Sequence, residues 1–262
     1  MKHLEASFEG LGGVRIYTRA WLPEGDPRAV IVLVHGYAEH SGRYGNLVAH
    51  FVPRGYGIFA LDHRGHGRSD GERVAIEDFG DYLVDLKTYF DMVRGEHPEP
   101  SIFLLGHSMG ATIATAYAPD HQHEFDGLII SGGGIAPEGA PPPQPVADLA
   151  ATVSRDPAVV QAYRDDPLNY LGPPPPSRAE AMRGWRERLR ECAARITVPA
   201  IIMAGSGSPL GDGPRSQALY DAVPSPDKTL KLYDGLYHEI FNEPEHPLVF
   251  ADLEAWLEAH LA

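Results

Sequence analysis

The chain has 262 residues, of which 43% are hydrophobic and 22% charged. That balance excludes a disordered chain and suits one α/β domain able to bury a large core. A formal net charge of −14 argues against nucleic acid as a partner. No apolar run has the length of a membrane span, Met1-Lys2-His3-Leu4-Glu5 carries no apolar leader, and the single Cys192 leaves no internal disulfide; a cytoplasmic location is expected.

Segments 8–10 and 14–22 flank Leu11-Gly12-Gly13 and predict a hairpin that adds an antiparallel edge to a sheet. Val30-Ile31-Val32-Leu33-Val34 is continuously apolar and β-branched, the pattern of a strand buried on both faces. Similar runs follow at 58–61, 102–105, 128–130 and 200–204, and a more alternating one at 229–233. Between them, 79–93 places Tyr82, Leu83, Leu86, Tyr89, Phe90 and Val93 on one helical stripe. Further helices are predicted over 109–117, 216–223 and 247–261, the last with Pro247 near its first turn. Strands alternating with helices predict an α/β fold with a mostly parallel sheet covered on both faces.

Residues 135–195 break this rhythm. They hold no convincing strand and are rich in proline, at Pro141-Pro142-Pro143, Pro145 and Pro173-Pro174-Pro175-Pro176, with short helical pieces at 157–163 and 177–192. The expected organisation is a core of 1–134 and 196–262 with a cap of 135–195 inserted over the carboxyl edge of the sheet, where open α/β sheets bind ligands. The arginine-rich stretch 183–195 interleaves Glu187 and Glu191 and is expected to be a solvated helix face. The alternative is a place at a membrane surface or at the path of substrate access.

Gly106-His107-Ser108-Met109-Gly110 follows a predicted strand and opens a predicted helix. G-x-S-x-G in that setting is the nucleophile elbow of the α/β-hydrolase fold. Ser108 is therefore the expected nucleophile, exposed on a sharp turn at a helix N-terminus that favours developing negative charge. His35-Gly36-Tyr37-Ala38 ends the first central strand, so the amides of Tyr37 and Met109 are the expected oxyanion donors; His35 itself reads as structural. His238, between the last strand and the last helix, stands where this fold places its general base.

At these residues the chain resembles the monoacylglycerol lipases, in the serine aminopeptidase S33 and lysophospholipase-like branch of the α/β hydrolases. The resemblance rests on His35-Gly36-Tyr37-Ala38-Glu39-His40-Ser41-Gly42-Arg43-Tyr44, on Asp62-His63-Arg64-Gly65-His66-Gly67-Arg68-Ser69, on the elbow, and on Gly235-Leu236-Tyr237-His238-Glu239-Ile240-Phe241-Asn242-Glu243. Ser154-Arg155-Asp156-Pro157 and Asp166-Pro167-Leu168 are similar to the bacterial members. It covers nearly the whole chain. It implies cleavage of monoacylglycerol to glycerol and fatty acid, with Glu39 and Arg43 bordering the head-group pocket. Spaced one helical turn apart, the same two residues would equally form a surface ion pair. The loop 62–69 is expected to be structural.

One position departs from the family. Its triad aspartate follows the strand 200–204, but Gly205-Ser206-Gly207-Ser208-Pro209-Leu210-Gly211-Asp212 has Ser208 there. Asp212 could reach His238 from further along this loop, Glu138 after the strand 128–130 could supply the acid, or His238 could lack one, leaving Ser208 or water as a weak orienter. Asp212 between two glycines would also suit a plain turn.

The cap is short, and Leu149, Val153, Val159, Val160, Leu168, Tyr170 and Leu171 are its candidates for a pocket wall, with at most transient contact with a membrane surface. The expected activity is hydrolysis of monoacylglycerol-like or short to medium acyl esters through a Ser108 acyl-enzyme, with no cofactor or metal and a small acyl-ester or lipid as partner. The chain is expected to be a monomer or dimer. An enzyme with altered chemistry or weakened hydrolysis, and a non-catalytic binding protein, are the other readings.

Overall fold

The computed structural model describes residues 1–140 and 146–261, apart from the side chain of Arg186, so the prolines of 141–145 lie outside the described residues. An eight-stranded sheet in the order β1-β2-β4-β3-β5-β6-β7-β8 organises the chain. The strands are β1 (Lys2–Glu9), β2 (Arg15–Leu22), β3 (Ala29–Val34), β4 (Tyr56–Leu61), β5 (Ser101–His107), β6 (Gly127–Ser131), β7 (Ala200–Gly205) and β8 (Lys228–Tyr233). β1 and β2 form the expected antiparallel edge, and β2 also pairs antiparallel with β4. From β4 to β8 every pairing is parallel.

The unbroken apolar runs are explained by two separate cores. Val30, Val32 and Val34 join Ile102, Leu104, Leu128, Ile130 and Ile202 on one face, under α2 (Gly80–Glu96), α3 (Met109–His121) and α8 (Asp212–Ala222). Ile31 and Leu33 join Phe103, Leu105, Ile129 and Ile201 on the other, under α1 (Gly45–Phe51) and α9 (His246–Ala259). Strand side chains alternate in direction, so a strand covered on both faces must be apolar at every position.

Between β6 and β7 lie α4 (Ala150–Val153), α5 (Pro157–Asp165), α6 (Pro176–Ala181) and α7 (Trp185–Ala193). The helix expected over 177–192 is broken in two by Gly184, which takes a left-handed φ of 79°. α6 starts on Pro176, whose missing N–H costs nothing at a first helical position. α7 belongs to the main core, with Trp185 and Leu189 buried in it and the Trp185 ring 4.4 Å from Phe79. Its outer arginines are solvated as expected: Arg183 pairs with Glu180 at 2.5 Å and Arg195 with Asp120 at 2.6 Å. α4 and α5 make a small core of their own around Val153 and Tyr163, while α6 places Ala181 in the main core. No helix among the described residues is long and apolar enough to cross a membrane.

Candidate active site

Ser108 joins β5 to α3 with φ 55° and ψ −113°, a conformation that costs energy for a residue with a Cβ and persists only where surroundings enforce it. The enforcement comes from the flanking glycines. A Cβ on Gly110 would stand 1.9 Å from the Val34 carbonyl oxygen, and one on Gly106 would stand 2.4 Å from that of Gly110. The turn is pinned by the Ser108 amide, which donates to the Ser131 carbonyl at 3.0 Å.

The Ser108 hydroxyl meets His238 Nε2 at 2.8 Å, and His238 Nδ1 meets Asp212 Oδ2 at 2.7 Å. Asp212 is the first residue of α8, preceded by Gly211 in a left-handed turn (φ 72°) that swings the helix start toward β8. Ser208 lies near this pair: its hydroxyl accepts from the Leu210 amide at 3.2 Å, and its presence helps lower the Asp212 carboxyl. Glu138 is exposed in a turn. Burial alone would push the Asp212 carboxyl up, but the His238 charge and the hydrogen bonds from His238 and Ser208 hold it below its usual value. Burial likewise opposes charge on His238, and the Asp212 carboxylate overcomes it and raises the imidazole above its ordinary 6.5. The His107 ring lies 4.8 Å from the His238 ring and is driven down to about 3, first by burial and then by the His238 charge. It stays neutral at any working pH.

The loop after β3 passes in front of Ser108. Among the described residues the amides of Tyr37 and Met109 donate to nothing, which leaves both free for an oxyanion. Ala38 takes a positive φ of 63°, and its carbonyl accepts from the Tyr163 hydroxyl at 3.0 Å and the Tyr170 amide at 2.9 Å. The segment between β6 and β7 thus clamps this loop. It also holds the base loop, since the Glu239 amide donates to the Val153 carbonyl at 2.7 Å.

Glu39 and Arg43 form no surface pair. Glu39 Oε1 accepts from the Gly36 amide at 2.6 Å and from the Tyr44 hydroxyl at 2.7 Å, and its Oε2 accepts from Arg43 at 3.0 Å. Arg43 binds Glu239 through both terminal nitrogens and stacks over the Tyr163 ring at 4.3 Å. All three charged groups are buried, with side chains no more than 9% exposed. Burial would raise the Glu239 carboxyl, but Arg43 brings it down to about 2; for Glu39 burial prevails over Arg43 and the carboxyl is raised. Neither Glu39 nor Arg43 lines the cavity at Ser108. Glu39 instead borders a recess of about 10 Å³ behind it. His35 and the loop 62–69 are buried scaffold: His35 Nε2 accepts from the His63 amide at 2.9 Å, and the Asp62 carboxylate accepts from the Ser41 hydroxyl and the Arg68 amide.

Ser108, Met109, Tyr37, Asp212 and His238 open on a cavity of about 670 Å³. Val146, Arg178 and Met182 wall it from the segment between β6 and β7. The apolar residues expected there lie elsewhere: Leu149, Val153, Val159 and Val160 pack on one another, Leu168 and Tyr170 are half-buried away from the cavity, and Leu171 is exposed.

The family description "serine aminopeptidase, S33" matches residues 25–245. This chain belongs to that family of α/β hydrolases. It is similar to the monoacylglycerol lipase of Mycolicibacterium smegmatis, 41% identical over 98% of both chains. It is also similar to the monoglyceride lipase of Homo sapiens, 31% identical over 95% of this chain and 89% of that one. Among solved structures, the monoacylglycerol lipase of Paleococcus ferrophilus superposes with a TM-score of 0.77 at 26% identity, covering 99% of this chain and 100% of that one. The S33 relatives at this level are carboxylic-ester hydrolases, and so is this chain.

Sequence reasoning had no route to Arg178, Arg215 and Met182 as cavity residues of this S33 hydrolase. They sit on helices whose placement over Ser108 follows from tertiary packing alone. For Glu239 the sequence offers one signal, a carboxylate directly after the candidate base.

Proposed function

We propose that this S33 hydrolase cleaves monoacylglycerol-like and other short to medium acyl esters through an acyl-enzyme on Ser108. The observation that carries the reading is the placement of His238, bonded through Nε2 to Ser108 and through Nδ1 to Asp212. In the ground state the Asp212 carboxylate fixes the proton on Nδ1 and leaves Nε2 free to accept. Ser108 Oγ attacks the ester carbonyl carbon as His238 takes its proton. The tetrahedral oxyanion is received by the amides of Tyr37 and Met109. The C–O bond to the alcohol then breaks as His238 returns the proton to the leaving oxygen. Water, deprotonated by the same imidazole, attacks the acyl carbonyl and releases the carboxylic acid and free Ser108.

The reading of weakened hydrolysis rested on the absence of an acid, and Asp212 supplies a partner for His238. Glu39, Arg43 and Glu239 serve this site as supports: Glu39 holds the Gly36 amide before the oxyanion loop, and Glu239 follows the base. Contact with a lipid surface is transient and uses Val146 and Leu171, which are 44% and 58% exposed.

The test is hydrolysis of 1-octanoylglycerol and of p-nitrophenyl esters of increasing acyl length by the native chain and by Ser108→Ala, with a fluorophosphonate probe as covalent reporter. Turnover and labelling that both vanish in Ser108→Ala support the proposal. Turnover that survives the substitution overturns it.

A further inference from the structure

Two arginines in the wall of the Ser108 cavity have no carboxylate partner; Arg19, Arg73, Arg94, Arg188 and Arg190 also make no ion pair among the described residues, but none of those lines this cavity. Arg43, Arg64 and Arg155 are each held by carboxylates. Among the described residues no carboxylate lies within ion-pair distance of Arg178 or Arg215, yet both line the cavity. Arg178, on α6, rests over the Tyr37 ring at 4.0 Å and directs Nη1 to the Met109 sulfur at 3.2 Å. Neither an aromatic face nor a thioether neutralises a guanidinium. Burial pulls the Arg178 pKa below the ordinary arginine value, with the nearby Tyr82 and Tyr37 opposing the fall.

A second observation points the same way. The Tyr37 hydroxyl and Arg215 Nε are buried without a hydrogen-bond partner, and both residues line this cavity. Unpaired buried donors are rare in folded proteins because each forfeits its hydration. Of the eight buried side-chain polar atoms without a partner among the described residues, these two belong to residues of this wall, beside the unpaired Arg178. Among the described lining residues the only carboxylate is Asp212, already engaged by His238. The wall therefore carries two arginines with no free carboxylate to answer them, in a chain whose overall charge of −14 would otherwise repel anions. Guanidinium groups are suited to carboxylate and phosphate oxygens, which they bind through parallel N–H donors.

We propose that the cavity selects esters that carry a second, anionic group, a carboxylate or a phosphate, which Arg178 and Arg215 hold while Ser108 attacks the ester carbonyl. The proposal rests on the Ser108 ester chemistry above and names the substrate class within it. The anion could sit on either side of the scissile bond: at the far end of the acyl chain, or on the alcohol. Both present the same oxygens to the same arginines.

The experiment measures kcat/KM for two matched pairs. One pair is p-nitrophenyl hexanoate and the mono-p-nitrophenyl ester of adipic acid, which places the charge on the acyl chain. The other is 1-octanoylglycerol and 1-octanoylglycerol 3-phosphate, which places it on the alcohol. In the native enzyme the charged member of one pair is expected to be favoured by about tenfold, the scale of one charge-assisted hydrogen bond. The pair that shows the preference identifies the side. The ratio of charged to neutral substrate should collapse in Arg178→Gln and in Arg215→Gln, persist in Arg178→Lys, and shrink with added salt. A merely structural role for either arginine would depress both members of a pair together and leave the ratio alone. Absence of preference in both pairs, or a preference that survives both glutamine variants, overturns the proposal.

A binding arm separates this from failure of the ester chemistry itself. Ser108→Ala is titrated calorimetrically with 1-O-octylglycerol, with its 3-phosphate, with hexanoic acid amide and with adipic acid monoamide. Tighter binding of a charged ether or amide supports the arginine assignment even if no ester is turned over. Equal binding of charged and neutral members in both sets overturns it even if esters are hydrolysed.

Discussion

Asp212 Oδ2 lies 2.7 Å from His238 Nδ1 inside a pocket where the Asp212 side chain is only 2% exposed. A carboxylate so enclosed cannot be replaced by water as the orienter of the imidazole. Ser208 helps hold the same carboxyl below its usual value, so its influence on His238 runs through Asp212. Asp212→Asn is expected to lower kcat by about 10⁴-fold, the loss that follows when the amide stabilises the wrong tautomer. Ser208→Ala removes one neutral-to-charged hydrogen bond and is expected to cost about tenfold or less. Single-turnover acylation rates with a p-nitrophenyl ester check both. Equal losses in the two variants would show that Asp212 is not the orienting group.

The pH dependence follows from the same pair. The Asp212 carboxylate raises the His238 pKa above 6.5. Catalysis requires the neutral imidazole, so kcat/KM should rise with pH through a midpoint above 6.5, flat at higher pH until other groups titrate. Removing the carboxylate removes the largest upward cause of the shift, leaving burial opposed only by the charges of Glu239 and Glu39. The residual activity of Asp212→Asn should therefore have its acid limb at lower pH than the native enzyme. A limb that stays in place would assign it to another group; His107, held at about 3, is too low to produce it.

Gly110 tests the elbow as architecture. A methyl group there would stand 1.9 Å from the Val34 carbonyl oxygen, a backbone atom of a central strand that cannot move aside. Gly110→Ala is expected to destabilise the fold by about 3 kcal/mol or more, read as a fall in the urea midpoint. Gly45, whose Cβ would meet nothing within 4 Å, is the control. Gly45→Ala should leave the midpoint within about 1 kcal/mol of native.

Arg43 lies between two buried carboxylates, Glu39 and Glu239. Arg43→Met strands both, and breaking a buried ion pair from one side costs about 3–5 kcal/mol at neutral pH. The native Glu239 carboxyl is held at about 2. Without Arg43, burial is left to raise both carboxyls, and protonating them removes the stranded charge. The deficit of Arg43→Met should shrink as pH falls, whereas native stability from Glu239 is full above its ordinary 4.5 and is lost progressively as pH falls from there to about 2. Urea unfolding at pH 7 and pH 5 checks the sign.

Those residues also mark how far the sequence could be read. The central parallel strands were legible because each is sandwiched between two cores and so is apolar through its middle, whereas β8, at the sheet edge and half-buried, shows in the sequence only through alternation. The elbow was legible because close backbone approach demands glycine at fixed spacing. β1 was recognised only in part: nearly all its residues are exposed, so no alternation marks where it begins. α1 passed unnoticed, being seven residues long with three buried. For Asp212, the sequence left three alternatives open, because which carboxylate, if any, meets His238 depends on how the loops after two different strands turn. The left-handed Gly211 precedes the start of α8, where Asp212 stands 2.7 Å from His238 Nδ1. The i, i+4 spacing makes Glu39 and Arg43 neighbours, but their burial depends on what packs above them. That is Tyr163, from a segment 120 or more positions away.

Tyr163 is also where the segment between β6 and β7 reaches the oxyanion loop. Its hydroxyl donates to the carbonyl of Ala38 at 3.0 Å, and Ala38 holds a positive φ that an alanine does not adopt unaided. The amide donor expected from Tyr37 is the residue immediately before. Tyr163→Phe keeps the ring under Arg43 but removes this bond, leaving Ala38 with the Tyr170 amide alone. Stability should fall by about 1 kcal/mol. The larger consequence is expected in kcat, because a donor that must be reordered in each turnover loses preorganisation that the ground-state complex does not need. Substrate KM should change little. The measurement is kcat and KM for p-nitrophenyl hexanoate in Tyr163→Phe beside Tyr170→Phe, which leaves the Tyr170 amide in place. A rise in KM with unchanged kcat would place Tyr163 in substrate binding and not in support of the oxyanion loop.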